Sequence, residues 1–234
     1  MRMKTIVYIG PTLSADEVAR RYPGADVRPP AAVGDILRAT RERGVRRIAL
    51  VDGYFERMAA VWHKEILVAI ERGIEVWGAA SMGALRAAEL APFGMIGVGL
   101  IYQDYACRYL IADDEVAVAH LPAEFGYRAT SDALVNLRYG LERAEADGVI
   151  ADAAPLVELA RGRFYRERSW AQLVADARAA GIATGALETW PKPDRKADDA
   201  RQLLRRLRAA KRPKRTGLRV PRTWALRQLE SLLR

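Results

Sequence analysis

The chain has 234 residues, half of them apolar, enough for one sizeable core plus an appendage or for two small domains. No run of about 18 apolar residues occurs, which excludes a membrane-spanning helix. The net charge of +9 is uneven: residues 1–150 carry 18 Lys+Arg against 20 Asp+Glu, residues 151–200 carry 8 of each, and residues 201–234 carry 12 basic residues against Glu230 alone.

The composition thus describes a near-neutral body with a basic tail. Such a tail attracts phosphates, anionic lipid or an acidic protein surface, and the attraction weakens as salt rises. One cysteine rules out an internal disulfide framework, and one Cys with two His argues against a structural zinc site. Cys107 sits in an apolar and aromatic stretch, which predicts a buried, inert thiol. The apolar part of the N-terminus is too short for a signal peptide, so a cytoplasmic protein is expected.

Residues 4–10 read as a buried strand ending at Gly10-Pro11-Thr12. Ser14 and Glu17 have the spacing of a capping box, and a short helix follows up to Pro23-Gly24. Residues 25–28 predict a second strand, and 33–43 a helix ending at Gly44. Ile48 to Val51 is a continuous apolar run, as a strand covered on both faces requires, and it ends in Asp52-Gly53. Residues 60–72 predict a helix carrying His63, Lys64 and Glu65. Ile74 to Trp77 predicts a strand, and Ala84 to Leu90 a helix. The alternation predicts an α/β fold, a Rossmann-like and mostly parallel sheet with helices on both faces.

Beyond this point Gly94, Gly97 and Gly99 break up a short segment, and Ile101 to Leu110 reads as helical. Asp113-Asp114-Glu115 reads as an acidic turn leading into a strand over 116–120, and Ser131 begins a long helix. Only helices are expected after about 152. The resulting division is an α/β core over 1–150 and a helical region over 151–234, with the basic tail at 201–234.

In open α/β sheets ligands bind beyond the C-terminal strand ends. Gly10-Pro11-Thr12, Asp52-Gly53-Tyr54-Phe55 and Gly78-Ala79-Ala80-Ser81-Met82-Gly83 all fall there. Ser81 stands where a strand turns into a helix among small residues, as a nucleophile on a tight turn requires. The N–H groups of Met82 and Gly83, with the helix dipole behind them, would form an oxyanion hole. The strict G-x-S-x-G pattern is not met, because Ala79 replaces its first glycine. Ala79 to Ala84 resembles the nucleophile segment of Clp-type serine proteases, and a plain helix cap is the competing account of Ser81.

A nucleophilic serine needs a base. His63 is near the N-terminal end of its helix, the end closest to this edge, with Asp52 or Glu65 to orient it. His120, at a strand end, is the other imidazole. Arg86 either reaches back to hold a carboxylate or pairs with Glu89 at i+3. Asp113 to Glu115 either bind a cation or form a solvated turn, and neither a metal nor a cofactor is expected.

Val51 to Phe55, Val61-Trp62-His63-Lys64-Glu65-Ile66-Leu67, Gly78 to Leu90, Gly94 to Gly99 and Asp113 to Val118 resemble the core of the TfuA-like proteins over about 45–140. Gly10-Pro11-Thr12-Leu13 also fits. The resemblance implies an accessory to YcaO enzymes, which use ATP to activate a peptide backbone amide, in the thioamidation of peptides. It implies binding of a ubiquitin-like, ThiS-like sulfur carrier and hydrolysis of its thiocarboxylate to deliver sulfide. Ser81, His63, Met82, Gly83 and Arg86 would carry that chemistry, with Gly10, Thr12, Gly53, Glu65 and His120 lining the site. A non-catalytic adaptor that docks on the YcaO enzyme is the alternative. A nucleic-acid role for the tail is the weakest reading, since Trp224 is its only aromatic residue.

Overall fold

The computed structural model describes residues 3–54, 59–211 and 217–233; Phe55 and the basic residues in 212–216 lie outside them. Chain contacts divide the protein into two compact units, 1–111 with 197–234, and 112–196. Residue 150, the boundary expected from the pattern of elements, falls inside the second unit, between two of its helices.

The first unit is built on five parallel strands, β1 (Lys4–Tyr8), β2 (Asp26–Arg28), β3 (Val45–Leu50), β4 (Glu75–Ala79) and β5 (Ile96–Val98), in the order β2-β1-β3-β4-β5. This is a doubly wound α/β sheet whose order reverses between β1 and β3. The helices between strands are α1 (Ala15–Arg21), α2 (Asp35–Ala39), α3 (His63–Glu71) and α4 (Met82–Leu90). After β5 comes α5 (Leu100–Ala106), which stops short of Leu110. The glycine-broken segment 94–99 was not expected to be a strand. It forms β5 because Gly97 lets the Tyr102 ring lie over the backbone; a Cβ there would come 2.2 Å from the ring.

One sheet face packs Ile6, Ile48, Leu50 and Val76 against Ile36, Ile66, Met82 and Ala87 of α2, α3 and α4. The other packs Val7, Ala49, Val51 and Trp77 against Val18 of α1 and against Ala200, Leu203, Leu204 and Leu207. Those last four belong to α9 (Arg195–Ala209), so part of the C-terminal segment completes the sheet's second face. The buried Arg47 side chain, 2% exposed, bonds Glu75 at 2.8 Å and donates to the carbonyls of Ala210 and Lys211, closing the end of α9. Near the start of α9, Asp199 accepts the Ile101 N–H at 2.8 Å in space that a side chain on Gly99 would fill. A last helix, α10 (Trp224–Leu232), buries Leu226 and Leu229 against Leu37 and Val68.

The second unit holds α6 (Leu134–Ala146), α7 (Ala154–Gly162) and α8 (Trp170–Ala179), packed through Leu137, Leu141, Leu156 and Leu173. Residues 113–115 form a short 3-10 turn, and the strand expected after it is absent apart from a single bridge between His120 and Ala129. Asp114 and Glu115 are instead tied to Arg168 and Arg138, each at 2.7 Å. Ser131 does not begin α6; its hydroxyl accepts the Ala119 N–H. Cys107 is exposed at the C-cap of α5, contrary to expectation, because the buried face of that helix is Ile101 and Tyr105.

Two predictions follow from this packing. A Cβ on Gly83 would come 1.8 Å from the Leu50 carbonyl oxygen, so Gly83→Ala should cost about 3 kcal/mol or prevent folding. Gly162→Ala, with open space around it, should leave the denaturation midpoint within about 0.5 kcal/mol of wild type. The Glu17 carboxyl is held down to about 2 by the Arg201 guanidinium that hydrogen-bonds it, against an ordinary value of 4.5. Its contribution is therefore complete above 4.5 and is lost as pH falls toward 2. The stability gap between wild type and Glu17→Gln should be open at pH 7 and closed by about pH 2, read by urea denaturation across pH.

Candidate active site at the C-terminal sheet edge

Three strand ends meet at one edge of the sheet. Asp52 follows β3 and is 1% exposed. Its Oδ2 accepts the N–H groups of Gly10 at 2.9 Å and Thr12 at 3.0 Å, and its Oδ1 accepts the Thr12 hydroxyl at 2.7 Å. The carboxylate thus staples the loop after β1 to the end of β3, across the point where the strand order reverses. Gly53 forms a parallel bridge with Ala31, and a Cβ there would come 2.9 Å from Met82 Cγ.

The turn from β4 into α4 is very tight. Ala80 has φ of 66°, and the Ser81 N–H closes back on the Ala79 carbonyl at 2.8 Å. An i to i+2 bond across a residue of positive φ is the rare, strained kind of γ-turn. Ser81 comes next, 8% exposed, at the N-cap of α4. Its side chain makes no capping bond, and its hydroxyl has no partner among the described residues. The plain helix-cap account of Ser81 therefore fails on the geometry.

Of the two amides expected to face a substrate, only one is open. The Gly83 N–H donates to the Val51 carbonyl at 3.1 Å. The Met82 N–H has no acceptor among the described residues. The small residues serve helix–sheet contact: a Cβ on Gly78 would come 2.0 Å from the Gly83 carbonyl oxygen. The space beside Gly78 and Gly83 is thus filled by backbone.

The remaining candidates lie elsewhere. His63 opens α3, but its Nε2 is 2.7 Å from Glu89 Oε2, and no hydrogen bond joins it to Ser81 among the described residues. Glu89 is eight residues beyond Ser81 on α4, about 12 Å along the helix axis. Arg86 also turns to Glu89, at 2.7 Å, and its Nε donates to the Val61 carbonyl at 3.1 Å. It does not reach back toward Ser81. Neither expected orienting acid touches His63: Asp52 is taken by Gly10 and Thr12, while Glu65 accepts the N–H groups of Trp62, Gly34 and Leu37. Glu65 thus caps α2 and its own helix together, and burial pushes its carboxyl above the usual range. His120 belongs to the second unit, where its Nδ1 is 2.8 Å from the Leu121 carbonyl and its ring meets Tyr127 edge-on.

Two roles escaped the sequence reading. Glu89 as partner of His63 has no local signal, since the two sit on different helices. The double cap by Glu65 had one, because its position three residues after Trp62 is that of a capping-box acid.

The residues that form this edge and its surroundings fall within a family match. The TfuA-like protein family model matches residues 52–169. The chain belongs to the TfuA-like family. That family is linked to YcaO systems, and so this TfuA-like chain takes its place in the thioamidation context. A search of curated proteins gives no match. Among the described residues no helix is long and apolar enough to cross a membrane.

The Asp52 staple can be tested apart from chemistry. Asp52→Ala leaves two buried N–H groups and a hydroxyl without their acceptor and should cost about 3 kcal/mol or more in urea denaturation. A loss under about 0.5 kcal/mol would contradict a structural role for the carboxylate.

Proposed function

We propose that this TfuA-like protein supplies sulfur to a YcaO-type, ATP-dependent thioamide synthetase by hydrolysing the C-terminal thiocarboxylate of a ThiS-like carrier protein. The observation that carries this reading is the Ser81 hydroxyl, buried and held beside the Met82 N–H at the start of α4, neither group having a partner among the described residues. In the proposed reaction Ser81 Oγ attacks the thiocarboxylate carbon and gives up its proton, the C–S bond breaks, and sulfide leaves. Water then hydrolyses the acyl ester to a carboxylate and restores the serine. The Met82 N–H and the positive end of α4 would steady the oxyanion. His63, the histidine of the sheet unit and oriented by Glu89, is the proposed base and must leave that pairing to act. Gly10, Thr12 and Gly53 shape the rim through Asp52 and the Ala31 bridge.

The non-catalytic adaptor is kept as a second reading, because a specific observation favours it. The Asp52 carboxylate and the Gly83 amide, which a serine triad with its oxyanion hole would use, are engaged in structural bonds.

Sulfide release from a thiocarboxylated carrier separates the two. Ser81→Ala should lower the rate by at least about a hundredfold while carrier binding survives. Release at the wild-type rate would remove Ser81 as nucleophile. Ser81→Ala that still stimulates the YcaO enzyme with carrier-bound sulfur would favour the adaptor.

A further inference from the structure

The sheet unit carries a basic face formed by α1 and α9. Glu17 binds Arg21 at 2.7 Å and Arg201 at 2.8 Å, and Arg208 donates to the Arg21 carbonyl at 3.1 Å, so the two helices run side by side. Arg201, Arg205 and Arg208 follow one another at i, i+4 and i+7, which puts them in a single stripe along α9. Folding accounts for Arg201 and Arg208, which have partners on α1. It does not account for Arg20, Arg205 or Lys211, which are exposed and have no acidic partner among the described residues. Like charges one turn apart repel, so Arg205 gains nothing from Arg201 and Arg208 within α9.

Its direction is set by the fold. Asp199, near the start of α9, accepts the Ile101 N–H at the start of α5, just beyond the C-terminal end of β5 and so at the edge of the sheet that carries Ser81. Arg47, near the start of β3, closes the other end of α9. The stripe therefore leads away from the Ser81 edge down the sheet's second face.

We propose that the α1/α9 face docks a protein that presents an acidic surface. A membrane is disfavoured because the apolar residues Ala200, Leu203, Leu204 and Leu207 of α9 are all spent on the sheet, leaving no apolar face for a lipid interface. Single-stranded nucleic acid is disfavoured because neither helix carries an aromatic residue on which bases could stack. Arginines carried on two helices that are joined side by side suit bidentate pairing with carboxylates. The proposal stands apart from the chemistry at Ser81 and holds whether or not that serine reacts.

The test uses the full chain and three fluorescent probes: a polyglutamate peptide, a single-stranded oligonucleotide of equal charge, and vesicles containing phosphatidylserine. The expected result is tightest binding to the peptide, weakened at least about tenfold by Arg20→Glu with Arg205→Glu. A charge-matched control, Arg43→Glu with Arg128→Glu, should change it by less than about twofold. Thermal melts of both variants confirm that each is folded. Equal losses in the variant and the control would reduce the effect to net charge and overturn the proposal. Tighter binding to the oligonucleotide or the vesicles, lost with the same two arginines, would overturn it in favour of that partner.

Discussion

Helix α4 lies so close to strands β3 and β4 that two glycines are the only residues that fit. Gly83 meets the carbonyl of Leu50, and Gly78 meets the carbonyl of Gly83. This approach fixes where α4 begins, and the chain must reach that point from β4 in a single tight turn. The strain appears at Ala80, whose positive φ is the cost of the turn. Ser81 is presented at the top of the helix as a consequence. The same contact uses the Gly83 amide on Val51, so the geometry that sets the serine at the start of α4 also removes one of the two donors expected beside it.

A second constraint fixes the rest of the edge. Asp52 gathers the loop after β1 by three hydrogen bonds, and among the described residues no histidine shares its carboxylate. Glu65 is likewise consumed by backbone N–H groups at two helix starts. Buried acids in this unit therefore serve positioning. Among the described residues of this unit the histidine–carboxylate pair is His63 with Glu89, formed at the far end of α4 and sharing its acid with Arg86.

Strands β1, β3 and β4 were legible because parallel strands covered on both faces must be continuously apolar. Strand β5 was not, being three residues between glycines, where only the partner strand and the Tyr102 ring reveal the pairing. The role of α9 was hidden for another reason. Its apolar stripe is visible in sequence, but the strands it covers lie more than a hundred residues away. The tight turn at Ser81 could be read from local composition, as could the small residues required for close packing. Which donors were free and which acid faced which base depended on contacts between elements. Cys107 shows the same limit, since an apolar neighbourhood in sequence did not say which side of a short helix faces the core.

The central claim is that Ser81 reacts. The most direct measurement is acid-quenched intact-protein and peptide mass spectrometry after mixing with a thiocarboxylated carrier. The account predicts a carrier–protein ester mapping to the tryptic peptide from Gly73 to Arg86, which contains Ser81. Sulfide release without any such adduct, or with the adduct on another peptide, would contradict it.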